Sequence, residues 1–192
     1  SAIHQPVPEL QRTDMVILIG TNPAISQMSF VHAPNAVDTL LGIEARGGRV
    51  VHVNPRRTET AERVGEQVFI RPDTDVFFLL SFLHVLFAEH DPGEVAHVRG
   101  QRELRELVAA YTPERTEPVT RVPAAGLRTL VASFVRARGA SLYASTGLNM
   151  GQHGSVAFWL VNAINVLSGN LDREGGAIVP HGMFPLASVA HH

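Results

Sequence analysis

The stretch "VVHVNPRRTETAERV", Val50 to Val64, sets two arginines side by side where an apolar run ends. Pro55 stops a strand and fixes a turn. Arg56 offers a planar fork for a phosphate or a carbonyl, and Asn54 suits a ribose or base edge. The plain alternative for an isolated Arg-Arg is a solvated pair. Three more short stretches carry comparable groups. In Gly20-Thr21-Asn22-Pro23-Ala24-Ile25-Ser26, the glycine lets backbone approach a ligand, and Asn22 and Ser26 offer hydrogen bonds. A helix starting near Ser26 would turn free N–H groups toward a phosphate; otherwise Asn22-Pro23 is turn chemistry. Arg71-Pro72-Asp73-Thr74-Asp75 leads into an apolar segment. Asp73 or Thr74 there is a helix cap, or a carboxylate accepts two N–H groups of the kind on a guanine edge. The fourth stretch, Thr146 to Gly154, has closely spaced glycines, with Thr146 and Asn149 as polar contacts. It reads equally as a flexible connection.

The elements that would position these stretches follow from hydrophobic pattern. Strands are expected at Met15 to Ile19, Arg49 to Val53, Gln67 to Ile70 and Ser141 to Ser145. Helices are expected at Ala36 to Arg46, Asp75 to His90, Gln101 to Ala110, Ala124 to Arg138 and Ser155 to Ser168. The segment from Asp75 is apolar nearly all round, which predicts a buried helix. "YTPERTEPVTRVPAAG" reads as a Pro-rich connection. Strands alternating with helices define an α/β class with a mainly parallel sheet. Right-handed crossovers then bring all four stretches to the carboxyl edge of that sheet, where open α/β sheets bind ligands. Amide, guanidinium and carboxylate groups on one rim suit an extended nucleotide-like ligand.

Composition narrows the choice. The 192 residues are 45% hydrophobic and 18% charged, enough apolar content for a packed core. A net charge of −2 argues for neither nucleic acid nor a membrane surface, so any anion site is local. The segment Val76 to Ala88 is interrupted by Ser81 and His84, and no membrane span is expected. Cysteine is absent, which removes disulfides, cysteine-held clusters and a thiolate ligand from this chain. His52 and His84 read as core or surface residues, and only His153 borders the expected ligand edge. Asn162 and Asn165 share a helix face and are expected to bond neighbouring loops. The termini, Ser1 and His191-His192, read as cut ends, so a missing signal peptide carries no information.

The common nucleotide fingerprints are missing. A single Gly20 follows the first strand, Asn54 ends the second, and no Gly-Lys-Ser/Thr occurs. Yet "ILIGTNPAIS", "VNPRRTETAERV", "IRPDTD" and "STGLNMGQHGSVAFWLVNAINVLSGNLDREGG" together resemble the molybdopterin oxidoreductases of the dimethyl sulfoxide reductase and formate dehydrogenase type. The resemblance runs from about Thr13 to Gly176 and is least distinctive from Glu89 to Gly139. It implies one domain across residues 1–192, a Rossmann-like three-layer sandwich. This would be the central domain that holds one half of a bis-molybdopterin guanine dinucleotide carrying molybdenum. By the same resemblance Gly20, Thr21, Asn22 and Ser26 lie near phosphates and pterin. Asn54, Pro55 and Arg56 lie at the guanosine, Arg71 and Asp75 at the guanine, and Thr146, Gly147 and Asn149 on the pterin side. Asn54 replaces the family's commoner aspartate, Asp73 stands where Gly is usual, and Met150 where Gln is frequent. The metal ligand, the iron–sulfur cysteines and a C-terminal cofactor-binding domain would belong to the rest of the parent polypeptide, which would also meet the electron-transfer partner.

On these residues the leading expectation is a cofactor-holding piece of a molybdenum oxidoreductase, formate dehydrogenase-like and inactive alone. Two other expectations stand beside it. One is an independent NADP-binding reductase domain, with Arg56 and Arg57 on the 2'-phosphate. The other is a nucleotide-free structural domain.

Overall fold

A run of five apolar residues with no polar alternation must be covered on both sides. Met15–Ile19 is such a run, and every one of its residues is buried. The computed structural model describes residues 6–27 and 33–179. In chain order it contains β1 (Val7–Pro8), β2 (Met15–Ile19), α1 (Pro23–Ser26), α2 (Ala36–Ala45), β3 (Arg49–Asn54), β4 (Glu66–Phe69) and α3 (Asp75–Glu89). There follow α4 (Gln101–Val108), α5 (Pro113–Thr120), α6 (Ala124–Arg136), β5 (Ala140–Ala144), α7 (Thr146–Asn149), α8 (Gly154–Leu167) and β6 (Ala177–Ile178).

β4, β3, β2 and β5 form a four-stranded sheet in that order, and every pairing is parallel. The strand order reverses beside β2, between β3 on one side and β5 on the other. That is the switch point of a Rossmann-like sheet, with the crevice at the carboxyl ends of β2 and β5. The α/β class expected from the pattern is therefore the fold observed, with helices on both faces of the sheet. The layers are unequal. On one face Val16, Leu18, Val50 and Tyr143 pack with Leu40 and Ile43 of α2. On the other, Ile17, Val51 and Leu142 pack under α3, α6 and α8. β1 and β6 pair antiparallel as a separate two-residue ladder.

α3 is enclosed by α4, α5, α6 and α8, which explains its all-round apolar surface. Phe82 meets Phe134 of α6 edge-on, with ring centres 5.4 Å apart. Burying one such ring contributes about 2–3 kcal/mol.

The stretch from Tyr111 to Gly126 is a correction. It contains the helix α5 rather than a bare connection. Thr112 caps it, accepting from the Arg115 N–H, and Pro113 occupies the first turn, where its missing N–H costs nothing. Pro118 lies inside the helix and weakens it locally. Packing against α3 and α6 offsets that, and Arg128 of α6 clamps Glu114 of α5 at 2.6 Å and Glu89 of α3 at 2.7 Å.

The edge strand β5 is closed by side chains. Asn165 of α8 accepts from the Leu142 N–H at 2.9 Å and donates to the Leu142 carbonyl at 2.8 Å. Asn170 accepts from the Ala140 N–H at 3.1 Å. Two asparagines thus supply the bonds of a missing neighbour strand, which blocks edge-to-edge pairing. Asn165 therefore bonds a strand and not a loop, while Asn162 bonds Phe158 on its own helix.

Candidate functional site

All four expected stretches leave the sheet at one rim, because the four strands run parallel. Their mutual contacts show how the rim is built. The loops after β2, β3, β4 and β5 are here loops 1 to 4.

Loops 1 and 4 meet at the switch point. Gly147 donates its N–H to the Gly20 carbonyl at 2.9 Å. Gly20 has φ +59°, and a Cβ there would collide with the Leu148 backbone nitrogen. A Cβ on Gly147 would lie 2.6 Å from the Gly20 carbonyl oxygen. Both glycines are required by this backbone-to-backbone contact, so the floor of the crevice is peptide without side chains.

Loops 1 and 2 are stitched together by side chains. Asn54 is buried and donates to the Thr21 carbonyl at 3.2 Å. Thr21 is itself buried. Asn22 accepts from the Thr60 hydroxyl at 2.8 Å and donates to Glu59 Oε2 at 2.6 Å. The same Glu59 oxygen accepts from Arg56 at 3.1 Å. Pro55 is exposed beside them. Ser26 is a correction: it ends the short helix α1 rather than starting one, and its hydroxyl donates to the Asn22 carbonyl at 3.2 Å. Helix α1 begins at Pro23, which has no N–H to offer an anion.

Loop 3 does not stay above its own strand. α3 crosses the sheet and brings loop 3 against loop 4. Asp73 Oδ1 accepts from the Gln152 N–H at 2.7 Å, across 79 residues of chain. Asp73 has φ +62°. That left-handed conformation is one Gly adopts freely and Asp tolerates. Arg71 is held at the other end of the loop by its N–H, which donates to the Thr120 carbonyl at 2.8 Å, and its side chain is exposed.

Asp75 opens α3 half-buried. Among the described residues no other side chain bonds its carboxyl. Burial pushes that carboxyl above its usual range; its own backbone N–H opposes the rise and the nearby Asp73 charge adds to it. It lines a crevice of about 10 Å³ with Asp73, Val76, Leu148, His153 and Ala157. That space holds at most one water, so a larger donor group would meet Asp75 at the mouth.

Loop 4 has regular structure of its own: Thr146–Asn149 forms the single turn α7. Beside it lies a cleft of about 440 Å³, lined by Ala144, Ser145, Thr146, Asn149, Ser155 and Phe158, with Gly154 between it and the Asp75 crevice. The volume is that of a small-molecule site. Met150 is exposed and projects from this loop.

The structure therefore gathers the named residues in two groups joined at Gly20 and Gly147. Asn22, Asn54 and Arg56 stand on the β3 side, and Asp75, Thr146 and Asn149 on the β5 side. Sequence reasoning did not single out Glu59, Thr60, Ser145, Ser155 or Phe158. Nothing in their local pattern marks them, since each acquires its place through residues distant in the chain. His52 is fully buried, and its Nε2 lies 2.9 Å from the Val64 carbonyl. Burial lowers its pKa. Among the described residues no group of three or more His, Asp or Glu is placed to hold a metal ion. None of their helices is long and apolar enough to cross a membrane.

Fold and rim together define a Rossmann-like α/β unit with clefts beside its switch point. No protein-family model matches the chain. Its homologues are molybdopterin oxidoreductases, as its motifs imply. It is 25% identical over 182 residues to formate dehydrogenase H of Escherichia coli (strain K12), covering 93% of this chain and 25% of that protein. To the dimethyl sulfoxide/trimethylamine N-oxide reductase of Cereibacter sphaeroides it is 28% identical over 180 residues, covering 87% and 22%. Among solved structures, acetylene hydratase from Pelobacter acetylenicus has the same fold, with a TM-score of 0.82 and 21% identity over 98% of this chain and 26% of that one. The chain spans about a quarter of the length of these relatives.

Proposed function

We propose that this chain is the part of a molybdenum oxidoreductase, formate dehydrogenase-like, that cradles one half of a bis-molybdopterin guanine dinucleotide. When bound, the cofactor supplies two-electron chemistry at its metal; the chain's residues bind and orient it. The donor set fits such a group. Asn22 and Arg56 converge on a carboxylate oxygen, which is the chemistry of a phosphate contact. Thr146 and Asn149 line a cleft of suitable size. Asp75 offers an acceptor for a base edge bearing two N–H groups. Iron–sulfur clusters, the metal ligand and the contact with an electron-transfer partner are assigned to other parts of the parent polypeptide.

One observation carries the reading. Asp75 is a half-buried carboxyl, destabilised in its charged form, at the rim of a Rossmann-like crevice. A carboxyl that no other side chain bonds among the described residues suits a ligand that donates to it.

The test belongs in the full-length parent enzyme. Asp75→Ala and Arg56→Ala are expected to lower both molybdenum and releasable guanine nucleotide per protein, with circular dichroism and Tm close to the unaltered enzyme. Normal loading in both variants would count against the guanine assignment.

A further inference from the structure

Two donors from different loops aim at one oxygen atom, and the atom belongs to the chain itself. Glu59 Oε2 accepts from Asn22 Nδ2 at 2.6 Å and from Arg56 Nη2 at 3.1 Å. The aim of Asn22 is fixed. Its Oδ1 is held by the Thr60 hydroxyl at 2.8 Å and the Thr60 N–H at 3.4 Å, and Thr60 is fully buried. The Thr60 hydroxyl also accepts from the Ala24 N–H at 2.9 Å, which fastens it to loop 1. Arg56 is folded back across its own turn, donating to the Arg57 carbonyl at 3.0 Å. A fixed amide N–H beside a guanidinium is the donor set of an oxyanion subsite. Hydrogen bonds from its own backbone N–H, then from Arg56 and Asn22, hold the Glu59 carboxyl below its usual range, so it is charged at neutral pH.

The Glu59 side chain is 47% exposed. Among the described residues the side-chain bonds that hold it are those from Asn22 and Arg56. An exposed ion pair of this kind is worth little, so an arriving multivalent anion can displace it.

We propose that Glu59 is a tethered surrogate anion, seated between loops 1 and 2 until a ligand oxyanion, such as the pyrophosphate group of a dinucleotide, takes its place. The identity of the arriving ligand rests on the function proposed above; the subsite itself stands on the Asn22 and Arg56 geometry. Its effect is selective. A singly charged anion competes poorly with the resident carboxylate, and a pyrophosphate, with more charge and more acceptor oxygens, competes well. The proposal predicts that Asn22 and Arg56 are occupied in the free protein as well as in the complex, by different anions.

Calorimetric titration of the full chain with inorganic pyrophosphate tests this. Glu59→Gln keeps the side chain's size and removes its charge. It is expected to tighten pyrophosphate binding about tenfold, equivalent to about 1.4 kcal/mol. Glu62→Gln, an exposed neighbour outside the subsite, removes the same charge and should give a much smaller gain. Asn22→Ala added to Glu59→Gln should abolish the gain. Equal or weaker binding by Glu59→Gln, an equal gain from Glu62→Gln, or no binding by Glu59→Gln would each overturn the proposal. Guanosine diphosphate and guanosine separate the two readings. If pyrophosphate follows the expected pattern while neither guanine ligand binds better than pyrophosphate, the guanine assignment fails and the subsite stands.

Discussion

Asp75 shows how burial and chemistry conflict at a single residue. Its carboxyl is raised because desolvation disfavours the charge. The linkage then has a definite sign. A folded-state pKa above the unfolded value means the native protein holds the proton longer. The stabilising contribution is therefore present below the unfolded pKa and is lost as pH rises through the folded one. At neutral pH the charged Asp75 costs stability. Asp75→Asn should raise the urea midpoint at pH 7, and the gain should vanish in acid, where the wild-type carboxyl is also neutral. A gain of equal size at both pH values would show that the charge is not the cause. The residue's type and place were legible in "IRPDTD". That no other side chain among the described residues bonds it was not, because that depends on how loop 3 lies against loop 4.

At the scale of elements, the edge of β5 is the clearest case. A terminal parallel strand leaves N–H and C=O groups unpaired on its outer side. Helix α8 covers that side and Asn165 makes both bonds to Leu142. Asn165→Ala should leave two buried backbone groups unsatisfied and cost about 2–4 kcal/mol. Urea denaturation would read the loss, and faster amide exchange at Leu142 would locate it. Asn162, one turn earlier, bonds its own helix and should be near neutral when replaced by Ala. The pattern put both asparagines on one face of a helix, but periodicity does not say which of two neighbours faces a strand. Helix α5 was missed for a related reason. Pro118 and several β-branched residues lower its intrinsic propensity, and the contacts with α3 and α6 offset that.

For the molecule as a whole, pH acts through the core as well as the surface. His52 is fully buried in β3 and neutral, with its ordinary pKa lowered first by desolvation. The unfolded chain takes up that proton as pH falls below about 6.5, and the native chain resists. Stability should therefore fall as pH drops below that value, before most carboxylates titrate. Asp14 and Glu114, held below their usual range by Arg138 and Arg128, add to the loss at lower pH. A urea midpoint that declines from pH 7 to pH 5, with a His52 ring proton resonance that stays unshifted in the folded protein, is the expected result. A His52 titrating near 6.5 in the native state would contradict its burial. Apolar runs, helical spacing and the turn residues in between determined the α/β class, the buried α3 and the parallel sheet with its four loops on one rim, because these depend on local periodicity and on the handedness of crossovers. The four motifs also carried the kinship with molybdopterin oxidoreductases. Only the tertiary structure decided the order 2–1–4–3 in which the loops touch, the glycine contact at the switch point, and the seating of Glu59 between Asn22 and Arg56. Each is a contact between segments far apart in the chain, and no short-range pattern encodes which distant backbone or carboxylate a side chain will meet.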